Sequence, residues 1–185
     1  MQVPQIGLGE LQVSGKGQKS IKVTTPDSKG DVSLLPGKMA VPFNPSAYQN
    51  AEASRLNLCF TPTAVACMEG FKQLEEQLVE LLRPQVKDLL GLDSDGSADW
   101  FRSAVKSSKH GTPFLRTEIN MDGRNAPCVW GSNKQLTLPP VDWSTFTGTP
   151  KIWVKQLYVS NKEIGLVLEC TDIPVESIRY GFPFQ

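Results

Sequence analysis

The stretch KIWVKQLYVSNKEIGLVLECTDI, residues 151–173, gives the strongest structural signal in the chain. Two runs rich in Ile, Val, Leu and aromatic residues, Lys151–Val159 and Ile164–Ile173, flank the polar residues Ser-Asn-Lys-Glu at 160–163. Such residues favour strands, and a short polar connection between two strands is typical of a hairpin. The stretch therefore predicts an antiparallel β-hairpin.

The first arm of this hairpin has two chemically different faces. Successive side chains of a strand point to opposite sides, so strict alternation places Lys151, Trp153 and Lys155 on one face. The other face then holds Ile152, Val154, Gln156 and Tyr158. Two lysines beside an indole can bind phosphates while a base stacks on the ring. The competing interpretation is a Trp153 covered by a helix, with the lysine stems along its edge.

Residues before the hairpin alternate between strand and helix patterns. Strands are predicted at 55–60, 114–121, 128–130 and 135–138. Thr61-Pro62 is a favourable helix start. An apolar stripe then recurs every three or four residues, formed by Val65, Met68, Phe71, Leu74, Leu78 and Leu81. Pro84 should end or kink this helix, and two further helical segments are predicted at 85–90 and 98–108, the last with Trp100 and Phe101 in the core. The order of elements predicts an α+β domain built on a small barrel or sandwich.

The residues needed for catalysis or metal binding are sparse. His110 is the single histidine of the chain and lies in a polar run, which is typical of a surface residue. Asp93 and Asp95 resemble the opening of a calcium loop, but position twelve of that loop would be Ala104 instead of a glutamate. The four cysteines have no close pair. We therefore expect no enzyme activity, no cofactor and no metal.

The N-terminal region has no apolar run of signal-peptide length, and no window approaches the roughly 20 apolar residues of a membrane span. These features predict a soluble, intracellular protein without a membrane partner.

Charge is segregated along a chain whose formal net charge is zero. Residues 63–99 hold three cations and eight acids, whereas residues 100–155 hold eight cations and three acids. The second segment also contains all four tryptophans. Cations interleaved with aromatic rings are what sequence-tolerant binding of single strands requires, although such a segment also fits an ordinary solvated surface.

Several short motifs occur in an order that resembles a known family. After a strand and a long helix come Ser97-Ala98-Asp99-Trp100-Phe101, then Pro113-Phe114-Leu115-Arg116, then Ile152-Trp153 and the second arm of the hairpin, Ile164–Cys170. This order is similar to that of the single-stranded DNA-binding proteins of large double-stranded DNA viruses and related phages. The resemblance covers roughly residues 57–184.

The resemblance implies an oligonucleotide-binding fold: a small Greek-key β-barrel with a helical insertion at about 62–108. Residues 1–17 would form a flexible N-terminal arm and 18–185 a single barrel domain. The implied function is binding and protection of single-stranded DNA during viral or phage replication, recombination or repair, in the host cytoplasm or nucleus. The same contacts would serve single-stranded RNA, and neighbours would form a homo-oligomer or cooperative filament. The implied contacts are Arg116, Lys151, Trp153 and Lys155, to which the charge pattern adds Trp130 and Lys134.

A structural role is the alternative function. The Gly- and Pro-rich N-terminal region and the terminal Phe182-Pro183-Phe184 suit a virion or scaffold component that associates with its own copies. Particle size with and without oligonucleotide would separate the two functions.

Overall fold

The chain folds mainly into β-sheet. The computed structural model describes residues 3–26, 30–47, 55–92, 97–121, 126–131 and 133–178. Its thirteen described strands belong to one sheet: β1 Gly7–Val13, β2 Lys19–Thr24, β3 Val32–Leu34, β4 Met39–Ala40, β5 Arg55–Pro62, β6 Phe101–Arg102, β7 Val105–Ser107, β8 Pro113–Asn120, β9 Cys128–Trp130, β10 Leu136–Thr137, β11 Phe146–Gly148, β12 Lys151–Val159 and β13 Ile164–Ile178. The two described α-helices are α1 Ala66–Leu82 and α2 Val86–Leu90.

The predicted hairpin is confirmed as the pair β12–β13, and it lies at the centre of the sheet. β12 pairs with β13 on one side and with β2 and β3 on the other. Both arms contribute buried side chains to the core, including Ile152, Val154, Leu157 and Leu168. The alternating apolar positions of the hairpin therefore anchor the hydrophobic core.

A register shift between Val154 and Gln156 changes the faces of β12. Ile152 and Val154 are buried, and so are Leu157 and Val159, which are one position out of phase with the first pair. An irregularity of this kind inserts one residue and reverses the side-chain alternation beyond it. The prediction that Gln156 and Tyr158 share the face of Ile152 is therefore wrong; both are only partly buried.

The sheet is not closed into the predicted Greek-key barrel. Its strands follow the order β1-β2-β12-β13-β11-β4-β5-β8-β7, and β8 meets β13 again only through the bridge between Glu118 and Glu169. Closure of a barrel requires a staggered ladder at every junction. One bridge is too little backbone pairing for such a junction, which corrects the predicted barrel to an open, strongly connected sheet.

Helix α1 confirms the apolar stripe in its middle but not at its ends. Met68, Phe71, Leu74 and Leu78 are buried, whereas Val65 and Leu81 are exposed. The predicted start at Thr61-Pro62 is wrong, because both residues end β5 and pair with β4. A short 3-10 turn that contains Pro84 separates α1 from α2, in agreement with the predicted break.

The predicted third helix at 98–108 is wrong. This segment forms β6, which pairs with β13, and β7, which pairs with β8. Trp100 is buried and packs edge-on against Phe101, with ring centroids 6.1 Å apart. Strand pairing satisfies the backbone groups that a helix would have satisfied internally. The helical part of the predicted insertion therefore ends at Leu90.

The remaining short strands lie close to their predicted positions, at β5, β8, β9 and β10. Within the predicted flexible arm, residues 7–13 form β1 and pair with β2. No helix in the described ranges is long and apolar enough to span a membrane.

Candidate nucleic-acid interface

Two adjoining grooves lie where β5, β7 and β8 face the central hairpin. The first has a volume of about 310 Å³ and runs between Arg102–Ala104 and Leu166–Leu168. The second, of about 550 Å³, is lined by Cys59, Phe114 and neighbouring residues. Both are lined by Asn57, Lys106 and Arg116. We call the two grooves together the basic groove.

Alternation along β8 places Arg116 in this groove. Leu115, Thr117 and Ile119 are buried, so the opposite face of β8 presents Phe114, Arg116 and Glu118. Cross-strand pairing sets Lys106 of β7 beside Phe114, and Cys59 of β5 beside Arg116. Three short strands thereby collect two cations and an aromatic ring on one surface.

The side chain of Arg116 is held in a defined direction. Its Nε donates a hydrogen bond to Asn57 Oδ1 at 3.0 Å, and the residue is exposed. Burial raises the pKa of the neighbouring Cys59 thiol, while the positive charge of Arg116 acts in the opposite direction. Burial therefore favours the neutral form of the Cys59 thiol, and Arg116 lies directly opposite it in the β5–β8 ladder.

Glu163 organises the other end of the first groove. Its carboxylate accepts a hydrogen bond from Arg102 Nε at 2.5 Å and another from the Tyr158 hydroxyl at 3.1 Å. These two bonds lower the pKa of Glu163, while burial raises the pKa of Tyr158. Arg102 and Tyr158 both line the groove. A cation and an aromatic ring are thus fixed side by side by one carboxylate.

Gly165 allows the Tyr158 ring to take this position. The two residues face each other in the β12–β13 ladder. A Cβ atom at position 165 would lie 2.2 Å from Tyr158 Cε1, which is far inside van der Waals contact. The ring therefore packs directly over the glycine backbone.

The predicted lysine–tryptophan face of β12 lies beside the groove but is partly neutralised. Lys155 Nζ lies 2.6 Å from Glu169 Oε2, 3.5 Å from Glu118 Oε2 and 5.8 Å from the centroid of the Trp153 ring. The side chain of Lys155 is only 19% exposed. Lys151 is exposed and lies 3.8 Å from Asp172. Because Glu118 lines the groove, Lys155 connects the groove to Trp153.

Trp153 itself is half-buried. Its indole nitrogen is buried and has no hydrogen-bond acceptor among the described residues. The ring is therefore neither fully covered nor fully open.

Trp130 and Lys134 occupy different surroundings. Trp130 Nε1 donates a hydrogen bond to Asp172 Oδ1 at 3.3 Å, and Asp172 is also the partner of Lys151. The structure thus brings Trp130 to the Lys151 end of β12. Lys134 is exposed in the turn between β9 and β10, with a positive φ of 59°.

Some solved structures are similar to this chain at low sequence identity. No protein-family profile matches the chain, and no curated protein is similar to it. The crystal structure of gp2.5, a single-stranded DNA-binding protein encoded by bacteriophage T7, is 9% identical at a TM-score of 0.48, over 84% of this chain and 100% of that chain. The single-stranded DNA-binding protein from bacteriophage Enc34 in complex with ssDNA is 6% identical at a TM-score of 0.46, over 94% and 99% of the two chains. These neighbours are phage single-stranded DNA-binding proteins.

Four groove residues escaped prediction as site residues: Arg102, Lys106, Phe114 and Tyr158. Arg102 and Lys106 belong to the cationic segment 100–155, but the predicted helix at 98–108 gave no reason to place them beside Arg116. Strict alternation assigned Tyr158 to the core face of β12. The register shift in β12 and the β7–β8 pairing, both of which depend on distant parts of the chain, brought these residues together.

Proposed function

We propose that this protein binds single-stranded DNA in the basic groove. The observation that supports this proposal is that Arg102, Lys106 and Arg116 line two connected grooves. Phe114 and Tyr158 are also among the lining residues. Cations neutralise backbone phosphates, and rings provide surfaces on which unpaired bases stack. The site contains both groups within one concave surface.

The predicted contacts on β12 would extend the path of the strand. Glu118 and Lys155 lie between the groove and Trp153, so a strand that leaves the groove would next meet Trp153 and Lys151. Trp130 and Lys134 would follow at the β9–β10 hairpin. We assign Lys155 mainly to holding Glu118 and Glu169, because its ammonium group already contacts both carboxylates.

The biological role that we propose is protection of unwound DNA during replication, recombination or repair in a virus or phage. The same cations and aromatic rings would also bind single-stranded RNA. We assign the fold to the oligonucleotide-binding type, with its described strands in a single domain and its copies associating along the strand.

Fluorescence anisotropy with a labelled oligo-thymidine tests the proposal. Lys106→Ala and Arg116→Ala should each weaken binding, and each should reduce the slope of log affinity against log salt by about 0.7, the value for one lost phosphate contact on a single strand. Lys16→Ala is the matched control, because Lys16 is an exposed lysine in the β1–β2 turn and does not line the groove. Absence of binding by the wild-type protein at low salt would reject the proposal.

Self-assembly is the second candidate function, and one observation favours it. Leu136, Leu138 and Val141 are exposed around the β9–β10 hairpin, with Leu138 86% and Val141 101% accessible. Exposed apolar clusters commonly mark contacts between proteins. Residues 182–184, one of the two sequence features behind this alternative, lie outside the described residues. Large particles without oligonucleotide would favour assembly, and a small species that shifts only with DNA would favour binding.

A further inference from the structure

The segment between Arg102 and Lys106 is connected to helix α1 by a hydrogen bond to the carboxylate of Glu75. Glu75 Oε1 accepts a hydrogen bond from the Ala104 amide at 2.7 Å. On either side of this amide, Val105 N donates to Ser103 Oγ at 3.0 Å, and the Ser103 hydroxyl donates to the Val105 carbonyl, also at 3.0 Å. Ser103 and Val105 thus bond to each other, while the amide between them is directed at the Glu75 carboxylate.

This contact lies at the midpoint between the two cations. Arg102 comes two residues before Ala104 and Lys106 two residues after it, and all three line the groove. Removal of the Glu75 side chain would leave the Ala104 amide without this acceptor. Ala104 is buried. A buried amide without an acceptor is unfavourable, which favours movement of the segment over retention of its geometry.

Other contacts fix the ends of the segment, and in its middle the Ala104 carbonyl accepts a long hydrogen bond of 3.5 Å from the Arg116 amide. Glu163 holds the Arg102 side chain, and Lys106 pairs with Phe114 across the β7–β8 ladder. Between these points the backbone leaves the strand geometry at Ser103 and Ala104. The spacing of Arg102 and Lys106 therefore depends on how Ser103–Val105 are held.

We propose that Glu75 is a positioning residue for single-strand binding: it sets the spacing of Arg102 and Lys106 along the basic groove. The inference rests on the proposed function. Glu75 does not itself line either groove, so its hydrogen bond would act through the β6–β7 segment and not by contact with a DNA strand.

Four variants separate hydrogen bonding from charge in the anisotropy experiment. Glu75→Ala removes the acceptor, and Glu75→Asp keeps the charge but shortens its reach by one methylene. Glu75→Gln removes the charge but keeps an acceptor. Glu76→Ala removes an exposed charge from the same turn of α1 and is the matched control.

Glu75→Ala and Glu75→Asp should each weaken oligo-thymidine binding about tenfold and lower the salt slope by about 0.7, as expected when one cation no longer reaches a phosphate. Glu75→Gln and Glu76→Ala should stay within about threefold of the wild type, because neither removes the acceptor. Equal binding by Glu75→Ala and Glu76→Ala would overturn the proposal. So would a loss of affinity in Glu75→Gln as large as that in Glu75→Ala.

Amide hydrogen exchange tests the positioning role without DNA. Exchange at Ala104 should be at least about tenfold faster in Glu75→Asp than in Glu76→Ala, because the amide loses its acceptor and its protection, while the amide of Leu166 in the β12–β13 ladder should be unchanged. Unchanged protection at Ala104 would overturn the inference. Faster exchange at Ala104 in a protein whose wild type binds no oligonucleotide would reject the proposed function and leave the structural role of Glu75 intact.

Discussion

A lysine beside a tryptophan suggests ligand binding, but the contacts of Lys155 are those of a residue that stabilises the fold. It compensates two carboxylates that face each other at the bridge between β8 and β13, and the side chain of one of them, Glu169, is only 7% exposed. Two carboxylates this close repel each other unless a cation lies between them. The lysine therefore stabilises the junction next to the groove.

Replacement of Lys155 by methionine should lower the free energy of unfolding by about 3 kcal/mol, because it leaves a buried carboxylate without its partner. Urea denaturation measures the change. Lys151→Met is the control: its ion pair with Asp172 is more exposed, and such pairs contribute about 0.5 kcal/mol. The double variant Lys155→Met/Glu169→Leu should recover most of the loss. Equal stability of the two single variants would contradict this role.

Gly165 is the second residue whose effect can be isolated. Gly165→Ala should lower the free energy of unfolding by about 1–3 kcal/mol, since the new methyl group must displace the Tyr158 ring. Gly15→Ala is the control, because nothing lies within 4 Å of a Cβ there. In a Tyr158→Ala background the Gly165→Ala substitution should cost much less. A similar cost in both backgrounds would show that the ring is not the obstacle.

At the scale of elements, structure that depends on neighbouring residues could be predicted from the sequence, whereas structure that depends on pairing with distant strands could not. The β12–β13 hairpin and the buried middle of α1 depend on residues close in sequence, and both were predicted. Apolar residues at 100, 101, 104 and 105 fit a helix as well as two short strands, so only pairing with β8 and β13 decides between them. Arg102 and Lys106 were not predicted to lie beside Arg116 for the same reason.

Helix α1 should also influence the pH dependence of stability through Glu75. Burial raises the pKa of Glu75 above its usual value of 4.5, although its hydrogen bonds and Lys106 oppose the shift. Between the usual and the raised pKa the folded protein retains a proton that the unfolded chain has lost, so the free energy of unfolding falls as pH rises through this window. Glu75→Gln does not ionise.

Urea denaturation of both proteins from pH 4 upward measures the effect, and the stability of the wild type relative to Glu75→Gln should decline with rising pH until Glu75 is fully ionised. Glu76→Gln, at an exposed position in the same turn of α1, is the matched control variant. A difference between wild type and Glu75→Gln that is independent of pH would contradict the raised pKa.

At the scale of the whole molecule, a zero net charge conceals two opposed regions. The acidic residues concentrate on and after α1, while the cations concentrate in residues 100–155, of which Arg102, Lys106 and Arg116 line the groove. A field of this kind steers an anionic polymer to one surface even though the total charge is zero. Overall composition therefore gives no reason to propose a nucleic-acid partner, whereas the division of charge along the chain does.

Binding at this one surface should stabilise the whole fold. A ligand that binds only the folded state at one hundred times its dissociation constant raises the free energy of unfolding by about 2.7 kcal/mol. Oligo-thymidine at that concentration should shift the urea midpoint of the wild type and of Lys16→Ala equally. The shift should be much smaller for Arg116→Ala at the same oligonucleotide concentration, because its weaker binding lowers the ratio of ligand to dissociation constant. An equal shift for Arg116→Ala would place the binding surface outside the basic groove.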